Sequence, residues 1–279
     1  MEYFDRGGEV EIIGVSDFDL ERIFECGQCF RWNADENGVY TGVAFGIAAR
    51  IYKDGNSVFI SGTTDEFETV WLDYFDLNRD YSAIRRGLCI DGFMSEATTR
   101  GAGIRILRQE KWEVLCSFII SQCNNIPRIK SIISKLCEEF GDVLELDGQK
   151  YYSFPSAQKI ATLDVDGLAS LRCGYRAQYI ITAARAVASG ELNLDAIALG
   201  SPHTAKLELK KLHGVGDKVA DCVLLFGLNM LDAFPIDVWM RRALAEYFEK
   251  GFDHRVFSPY AGIAQQYIFH YVRNVISQS

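Results

Sequence analysis

Residues 209–244 read LKKLHGVGDKVADCVLLFGLNMLDAFPIDVWMRRAL, which predicts a helix, a tight turn, a second helix, a loop and a third helix. Gly214 and Gly216 flank Val215 at the point where an apolar-periodic segment breaks. We expect these two glycines to permit positive φ angles and to leave backbone N–H groups open at the start of the second helix. A turn of this kind is typical of a phosphate-binding site.

Two ionisable residues of this stretch are candidates for chemistry. Lys218 lies in the first turn of the second helix and carries an amine, a group that forms covalent intermediates with carbon electrophiles. Asp237 follows Pro235 and precedes a new helical pattern, so we expect it to be an N-cap. A plainer interpretation stays open, in which Lys218 forms a solvated ion pair with Asp221 and Asp237 is only a cap.

The hydrophobic period divides the chain into two parts. The β-rich runs lie at 9–15, 30–32, 39–45, 47–52 and 57–62. Turn residues separate these runs, which predicts an antiparallel sheet. From Asp65 to the end the period is helical, with one strongly apolar helix over 104–122. We therefore predict an α+β fold, with a β-rich N-terminal domain over 1–100, whose last helices lead into a two-lobed, all-helical body over 101–279, and a helical hairpin at about 205–228.

Composition excludes several classes of protein. The chain has 279 residues, of which 48% are hydrophobic, too many for a disordered protein. No apolar run approaches the ~20 residues of a membrane span, and the start MEYFDR lacks a signal pattern, so we expect a cytoplasmic protein. Eight scattered cysteines predict reduced thiols. Cys26 and Cys29 form a C-x-x-C without a second ligand pair, so zinc is not expected there, and a redox dithiol stays as an alternative.

The net charge of −9 argues against a protein that binds nucleic acid by bulk electrostatics. The positive residues cluster in part, and we expect the cluster to matter more than the total. Its members are Arg100, Arg105, Arg108, Lys111, Arg128, Lys130, Lys135, Lys206, Lys210, Lys211 and Lys218. Non-specific affinity for nucleic acid should therefore be modest.

Five motifs in order, between about residues 10 and 270, resemble the helix-hairpin-helix DNA glycosylases. The turn motif L-x-x-L-x-G-x-G-x-x-x-A spans 209–220, and Pro-x-Asp-Val spans 235–238. Residues 27–32, GQCFRW, resemble the Gly-Gln-x-Phe-Arg-Trp of 8-oxoguanine DNA glycosylases, the members with an extra β-rich domain. The resemblance implies a bifunctional enzyme that flips 8-oxoguanine out of double-stranded DNA and excises it. It also implies that Lys218, through a Schiff base and with Asp237 as the second catalytic residue, nicks the strand by β-elimination.

The resemblance also implies a base pocket. The main-chain carbonyl of Gly27 would accept a hydrogen bond from N7–H, a donor that guanine lacks. Gln265 and Phe269 are four residues apart, so they share a helical face and suit the Watson–Crick edge and the ring of a base. Cys222 follows Lys218 at the same spacing and would pack on the other face of the base. Phe269 alone would more often be an ordinary core residue.

Two further motifs imply contacts with the opposite strand and the duplex stack. Asn124 and Arg128 would fill the gap and read the opposite cytosine, although Asn also caps helices in such turns. Tyr175 would be the wedge, with Arg176 beside the estranged base. Cys123 stands where the family pattern usually has a third Asn, which predicts weaker selection for cytosine.

The hairpin, through Gly214, Val215, Gly216 and Val219, would hold the DNA backbone. No metal or other cofactor is expected to be required, and no iron–sulfur cluster, because no cysteine follows Cys222. The hairpin backbone is a candidate site for a structural cation. We expect a monomer whose partner is double-stranded DNA containing 8-oxoguanine, with no membrane association. Two alternatives are a helix-hairpin-helix glycosylase for another damaged base and a non-catalytic DNA-binding protein.

Overall fold

Six strands near the N-terminus form one antiparallel sheet in the computed structural model, which describes residues 1–276. The strands are β1 (Glu2–Asp5), β2 (Glu9–Ile13), β3 (Asn33–Ala34), β4 (Tyr40–Ala44), β5 (Ile47–Asp54) and β6 (Ser57–Ser61). Their order across the sheet is β1-β2-β6-β5-β4-β3. Two-residue turns at Phe45-Gly46 and Gly55-Asn56 set the register of the central hairpins. The predicted antiparallel sheet is confirmed, and β1 is an additional edge strand.

The sheet packs on its own aromatic core. Trp32 is 1% exposed, stacks on Phe24 with ring centroids 4.6 Å apart, and donates from Nε1 to the hydroxyl of Tyr74 at 2.7 Å. Gly42 on β4 lies against the same indole, and a Cβ there would come within 2.3 Å of the ring. The N-terminal domain therefore has a core of its own.

The helices form the rest of the chain. They are α1 (Leu20–Phe24), α2 (Thr64–Glu66), α3 (Leu72–Tyr74), α4 (Tyr81–Gly87), α5 (Gly92–Arg100), α6 (Lys111–Ser121), α7 (Ile126–Phe140), α8 (Ala157–Ala161), α9 (Arg176–Ala188), α10 (Leu194–Ala198), α11 (Pro202–Leu209), α12 (Asp217–Phe226), α13 (Val238–Tyr247) and α14 (Ala261–Ile276). A π-helical turn at Phe67–Trp71 joins α2 to α3, and 3₁₀ turns lie at Asp166–Leu171 and His254–Phe257. The α+β fold is thus confirmed.

Helix α12 is buried against α6 in the largest hydrophobic core. Phe118 on α6 stacks on Phe226 on α12, with centroids 5.5 Å apart and an interplanar angle of 16°. On α12, the residues Val219, Ala220, Val223 and Leu224 are all almost fully buried. The helix that carries Lys218 is therefore held rigidly by packing rather than by its turn alone.

The prediction of a strand at residues 30–32 is wrong. Phe30 packs edge-on against Phe118 in the helical core, with centroids 5.8 Å apart, whereas Trp32 enters the core of the sheet. The segment crosses between two cores, so its alternating apolar residues serve different domains and its backbone joins no strand. Only Asn33–Ala34 pairs as β3, with β4.

The predicted helix over 104–122 is also shorter than expected, because residues 104–110 have no regular secondary structure. The backbone N–H of Ile106 donates to the Tyr81 hydroxyl at 3.0 Å, and that of Leu107 donates to Gln28 Oε1 at 2.9 Å. These bonds to distant side chains replace helical ones, and α6 begins at Lys111. Apolar residues here reflect burial between the two domains, which periodicity alone cannot distinguish from a helix.

The helical body contains a β-hairpin that the prediction of helices to the chain end missed. Strands β7 (Val143–Leu146) and β8 (Gln149–Tyr152) pair through a two-residue turn at Asp147-Gly148, whose φ angles are 52° and 72°. An Asp-Gly pair between alternating residues is the usual hairpin signal, so the sequence did carry it. Asp147 also pairs with Arg50 of β5 at 2.8 Å, which ties the hairpin to the N-terminal sheet.

Candidate active site

The helical hairpin consists of α11 and α12, joined by a turn at 210–216. Gly214 has a φ of 90°, and a Cβ there would meet the Tyr179 ring at 2.3 Å, so both conformation and space require glycine. The expectation of positive φ is wrong for Gly216, which has a φ of −93° and is the N-cap of α12. No atom lies within 4 Å of a Cβ placed at Gly216, so this side of the turn is open for close approach.

The side chains of Val215 and Val219 are buried, so only their main-chain groups can reach a ligand. The first N–H groups of α12 have no side-chain cap at Gly216. They are the donors that a helix N-terminus offers to an anion. Tyr175 and Gln122 line the same open surface as the turn, so the hairpin and the predicted wedge are neighbours.

The ion pair between Lys218 and Asp221 does not form. Asp221 Oδ2 instead accepts from Lys206 Nζ at 2.8 Å, across the hairpin. Lys218 Nζ donates to Ser121 Oγ at 3.2 Å and lies 4.8 Å from the centroid of the Phe118 ring. The plainer interpretation of Lys218 is therefore wrong: its amine is not held by a carboxylate and lies near Ser121 and Phe118 of α6.

Six predicted site residues line one pocket in the structure. They are Gly27, Lys218, Cys222, Asp237, Gln265 and Phe269. The other lining residues are Cys26, Phe118, Phe226, Pro235 and Gln266. A single cavity is thus lined by the loop after α1, helix α12, the loop before α13 and helix α14. Among its lining residues, Lys218 has the one amine.

Asp237 has the predicted capping geometry. Its Oδ1 accepts from the backbone N–H of Met240 at 2.8 Å, which makes it the N-cap of α13. This bond occupies one oxygen and fixes the orientation of the carboxylate, while the residue still lines the pocket. Capping and a role in the pocket are therefore compatible rather than alternative interpretations.

Cys222 is a neutral thiol beside the amine. Burial raises its pKa to about 11, although Lys218 acts in the opposite direction. A buried thiol with so high a pKa carries little thiolate at neutral pH, and the thiolate is the nucleophilic form of cysteine. Lys218 remains the candidate nucleophile of the pocket.

Gly27 has a φ of 86°, a conformation that an L side chain rarely adopts. Space is not the constraint, because a Cβ would meet only Ile126 Cδ1, at 4.0 Å. The next residue, Gln28, is 1% exposed and donates from Nε2 to the carbonyls of Ile23 at 2.9 Å and Arg105 at 2.8 Å. Gln28 fixes the Gly27 loop. Gln28 is part of the GQCFRW motif, but the sequence analysis assigned it no role.

Arg105 was expected in the positive cluster but is buried, with 2% exposure. It donates to the carbonyls of Ser16 and Asp76 at 2.8 Å and of Asp17 at 2.9 Å. Its five N–H donors suit such a set of carbonyls. Arg105 therefore joins the domains instead of facing DNA.

The two cysteines of the C-x-x-C are not bonded to each other in this structure. Both thiols are free and buried; Cys26 Sγ contacts the carbonyl of Ile23 at 3.3 Å, and Cys29 Sγ contacts that of Phe24 at 3.9 Å. Burial raises the pKa of Cys26 to about 12, so it is an unreactive thiol. Both are better explained as packing residues of the loop that carries Gly27.

The residues predicted for the opposite strand lie on one surface but differ in exposure. Tyr175 is 53% exposed, as a wedge requires, and Arg128 is also exposed. Asn124 Nδ2 donates to the carbonyl of Ile120 at 2.8 Å, so this amide closes the end of α6. Cys123, with a φ of 52°, makes the sharp bend between α6 and α7.

Arg176 differs from these residues because it is 6% exposed. Its guanidinium donates to the carbonyls of Gln122, at 2.8 Å from Nε, and Cys173, at 3.2 Å. It also lies under the ring of Tyr175, with Cζ 4.5 Å from the centroid. In this structure Arg176 supports Tyr175 and the bend from below. The exposed guanidinium of Arg128 donates from Nη2 to the carbonyl of Arg172 at 3.3 Å and has further donors for a ligand.

Carboxylates neutralise most of the predicted positive cluster. The pairs are Arg100–Glu96, Arg108–Asp73, Lys111–Asp195, Lys130–Glu25, Lys206–Asp221, Lys210–Asp217 and Lys211–Glu208. Within residues 1–276, neither Lys218 nor Arg128 pairs with a carboxylate. Unpaired positive charge of the cluster thus remains at the pocket and along α7, at Arg128 and Lys135, while the net charge is −9.

The described part of the chain has neither a metal-binding cluster nor a membrane-spanning helix. Residues 1–276 contain no group of three or more His, Cys, Asp or Glu side chains that could hold a metal ion. No helix in the same range has the length and apolar character needed to cross a membrane.

Known proteins match the chain along most of its length. Residues 12–115 match the family described as 8-oxoguanine DNA glycosylase, N-terminal domain, and residues 116–251 match the HhH-GPD superfamily base excision DNA repair proteins. The N-glycosylase/DNA lyase of Saccharomyces cerevisiae is 33% identical over 82% of this chain and 68% of the yeast protein. These matches decide the family.

The chain belongs to the HhH-GPD superfamily, in its 8-oxoguanine glycosylase/lyase group. The Clostridium acetobutylicum 8-oxoguanine glycosylase/lyase, in complex with double-stranded DNA containing cytosine opposite 8-oxoguanine, is 37% identical, with a TM-score of 0.93 over 99% of both chains. This HhH-GPD protein is accordingly a DNA N-glycosylase and AP lyase of DNA repair. The alternative of a non-catalytic DNA-binding protein is wrong.

The alternative of a glycosylase for another damaged base has weaker support. The DNA-3-methyladenine glycosylase of Bacillus subtilis is 31% identical, but over 59% of this chain and 55% of its own length. The match of residues 12–115 to the N-terminal domain of 8-oxoguanine DNA glycosylases favours the 8-oxoguanine group.

Proposed function

We propose that this HhH-GPD protein flips 8-oxoguanine out of duplex DNA into the pocket around Lys218 and excises it there. One observation carries the proposal: the free amine of Lys218 lines the same cavity as Asp237, Gly27, Gln265 and Phe269. Excision of an oxidised purine needs these groups: an amine, a carboxylate, the backbone carbonyl of a loop, an amide and an aromatic ring.

The Lys218 amine carries the covalent chemistry. Its lone pair attacks C1′ of the sugar, the bond from C1′ to N9 breaks, and the base leaves with the bonding electrons and takes up a proton. Ring opening then converts the adduct to an iminium ion, or Schiff base. Loss of a C2′ proton expels the 3′ phosphate by β-elimination, which nicks the strand.

The carboxylate of Asp237 stabilises the positive charge that develops on the sugar as the base departs. Its orientation is set by the bond from Met240 N–H, so little reorganisation accompanies the reaction. The cap uses Oδ1 and leaves the second oxygen available to the sugar.

Borohydride trapping on a duplex with 8-oxoguanine opposite cytosine tests this function. Hydride reduces the iminium ion to a stable amine, so the wild-type protein should form a covalent complex with DNA that migrates as one band. A matched duplex with guanine should give none. Absence of trapping together with intact damaged strands would contradict the proposal.

Gly27 should carry the discrimination between 8-oxoguanine and guanine, because only the oxidised base has the N7–H that its carbonyl would accept. Gly27→Ala places an L residue at a φ of 86°, so the loop must shift and move this carbonyl. We expect the ratio of 8-oxoguanine to guanine binding to fall about tenfold, the scale of a lost hydrogen bond that leaves a buried acceptor unpaired. Binding is measured in a Lys218→Gln background with both duplexes.

Two control variants accompany Gly27→Ala. Phe269→Ala should weaken binding of both bases together through lost stacking, worth roughly 1–3 kcal/mol per base. Gly190→Ala adds a similar backbone strain, at a φ of 80° with no atom within 4 Å of the new Cβ, and should leave the ratio unchanged. The idea is falsified if folded Gly27→Ala keeps the wild-type ratio.

Arg128 should give a preference for cytosine opposite the lesion, because its guanidinium can donate to O2 and N3 of that base. We expect faster excision opposite cytosine than opposite adenine. Arg128→Ala should reduce the difference in activation free energy between these two duplexes by about 1–3 kcal/mol, the value of a good bidentate contact. Excision is measured opposite all four bases. Lys135→Ala, an exposed change on the same helix, is the matched control. A wild-type protein with equal rates opposite cytosine and adenine would contradict this role.

We infer that the backbone N–H groups of residues 214–219 hold a DNA phosphate, and that a cation at the hairpin backbone would be structural. The proposed chemistry requires no metal, other cofactor or iron–sulfur cluster. We also propose that the protein is a cytoplasmic monomer, associated with the nucleoid in a prokaryote. Its non-specific binding to DNA should be weak, because its net charge is −9.

A further inference from the structure

Two consecutive glutamines of α14 line the pocket, and only the first has a role so far. Gln265 and Gln266 are 3% and 4% exposed. Gln266 Nε2 donates to Gln265 Oε1 at 2.7 Å. The other end of the Gln266 amide, Oε1, is buried and accepts no hydrogen bond from the described residues. A buried carbonyl oxygen without a partner is uncommon and needs a physical explanation.

We propose that Gln266 is a positioning residue that determines specificity by locking the amide of Gln265 in one orientation. The inference rests on the proposed excision of 8-oxoguanine. If the Gln265 amide turned over, its NH₂ would face the NH₂ of Gln266, and the bond of 2.7 Å would be lost inside a buried site. Gln265 therefore keeps Oε1 towards Gln266, with one lone pair and Nε2 left for the base.

The locked amide matches one type of Watson–Crick edge. A guanine-type edge presents an acceptor at O6 and a donor at N1–H, which Gln265 Nε2 and the second lone pair of Oε1 complement. An adenine-type edge presents a donor at the 6-amino group and an acceptor at N1, so each contact would be reversed. An unlocked glutamine could turn over and accept either edge, because an amide presents a donor and an acceptor in both orientations.

The arrangement that fixes Gln265 leaves Oε1 of Gln266 without a hydrogen-bond donor among the described residues. Turning Gln266 alone would set its Oε1 against Gln265 Oε1, and two acceptors repel each other. Turning both amides together would keep one bond, from Gln265 Nε2 to Gln266 Oε1, but would put the Gln266 NH₂ in the buried position that Oε1 now holds. An orphaned buried N–H is rarer than an unpaired carbonyl oxygen, which favours the observed arrangement. A different role would be direct contact, in which Gln266 Oε1 accepts from the 2-amino group of guanine. The two roles make different predictions for bases with and without this amino group.

Three oxidised purines separate these roles: 8-oxoguanine, 8-oxohypoxanthine and 8-oxoadenine. All carry the N7–H that Gly27 would recognise. The first two share the edge at positions 1 and 6 but differ in the 2-amino group, whereas 8-oxoadenine has the reversed edge. Each base is placed opposite cytosine, and the single-turnover excision rate of a variant is divided by the wild-type rate, which cancels the cost of opening each duplex.

Gln266→Met removes the donor and keeps a similar side-chain volume. We expect excision of 8-oxoadenine relative to 8-oxoguanine to rise about tenfold, the scale of one or two neutral hydrogen bonds. The ratio of 8-oxoguanine to 8-oxohypoxanthine should stay as in the wild type. The thermal midpoint should change little, because the substitution removes the unpaired carbonyl of Gln266 together with its bond to Gln265. Gln266→Leu repeats the measurement if the Met variant does not fold.

Three results would overturn the lock. Equal slowing of all three bases by Gln266→Met would make the residue merely structural, as Phe269→Ala is expected to behave. A change confined to the ratio of 8-oxoguanine to 8-oxohypoxanthine would assign Gln266 to direct contact with the 2-amino group. Unchanged rates for all three bases would leave Gln266 without a part in recognition. If the wild-type protein itself fails to excise 8-oxoguanine, the proposed function is wrong, which this design reveals separately.

Discussion

Lys218→Gln is expected to abolish both base excision and strand nicking while duplex binding persists. The pocket lining contains no second amine, and the thiol of Cys222 is held neutral by burial, so no other group there can form the Schiff base. Glutamine keeps the length and polarity of the side chain near Ser121, and the pocket should stay open to the base. Borohydride trapping and a mobility-shift titration on the same 8-oxoguanine duplex measure the two properties.

Lys210→Gln is the matched control for Lys218→Gln. It removes one positive charge from the same hairpin, where Lys210 pairs with Asp217 at 2.8 Å outside the pocket. We expect this variant to excise and to trap at the wild-type level when protein is saturating. Strand nicking retained by Lys218→Gln, in protein free of contaminating nuclease, would sink the assignment of the nucleophile.

Asp237→Asn should slow excision by about 10²–10³-fold, the effect of removing one preorganised electrostatic contact from an active site. Stability should change little, because asparagine is as good an N-cap as aspartate and its Oδ1 can accept the same bond from Met240 N–H. The substitution thus separates the charge of the residue from its capping role. Single-turnover excision rates and thermal melting, measured on one preparation, provide the two readouts.

Asp91→Asn is the control for this exchange. Asp91 caps α5 in the same way, with its side chain accepting from Met94 N at 2.7 Å, but lies outside the pocket. Its replacement should leave both rate and melting temperature near the wild type. If Asp237→Asn excises as fast as Asp91→Asn, then Asp237 is only a cap and the developing charge is stabilised by another group.

The sequence predicted the elements whose signal is local. The sheet follows from alternation and turn pairs such as Gly55-Asn56, and the helical hairpin follows from its glycines. The cap at Asp237 follows from its place before an apolar period. These features depend on contacts within a few residues, so the pattern of neighbours is sufficient. The hairpin at 143–152 had such a signal too, in Asp147-Gly148, and was missed because the surrounding period is helical.

Segments buried between the two domains could not be predicted in this way. The apolar residues of 30–32 and 104–110 serve two cores. The backbone donors of Ile106 and Leu107 bond to the side chains of Tyr81 and Gln28 instead of to neighbours. Arg105 has the charge that is typical of a DNA-binding residue. It is nevertheless buried, because backbone carbonyls from distant loops accept its hydrogen bonds. Periodicity does not record such long-range partners.

The members of the site were visible in the sequence through their motifs, since Gly27, Lys218, Asp237, Gln265 and Phe269 all line the pocket. The tertiary structure alone decided how each is held. It assigned Asp221 to Lys206 and so freed the amine of Lys218, buried Arg176 beneath Tyr175, and set Gln266 against Gln265. The physical reason is that a side chain's charge and hydrogen-bonding groups belong to the residue, whereas its partners depend on which distant segments the two cores bring together.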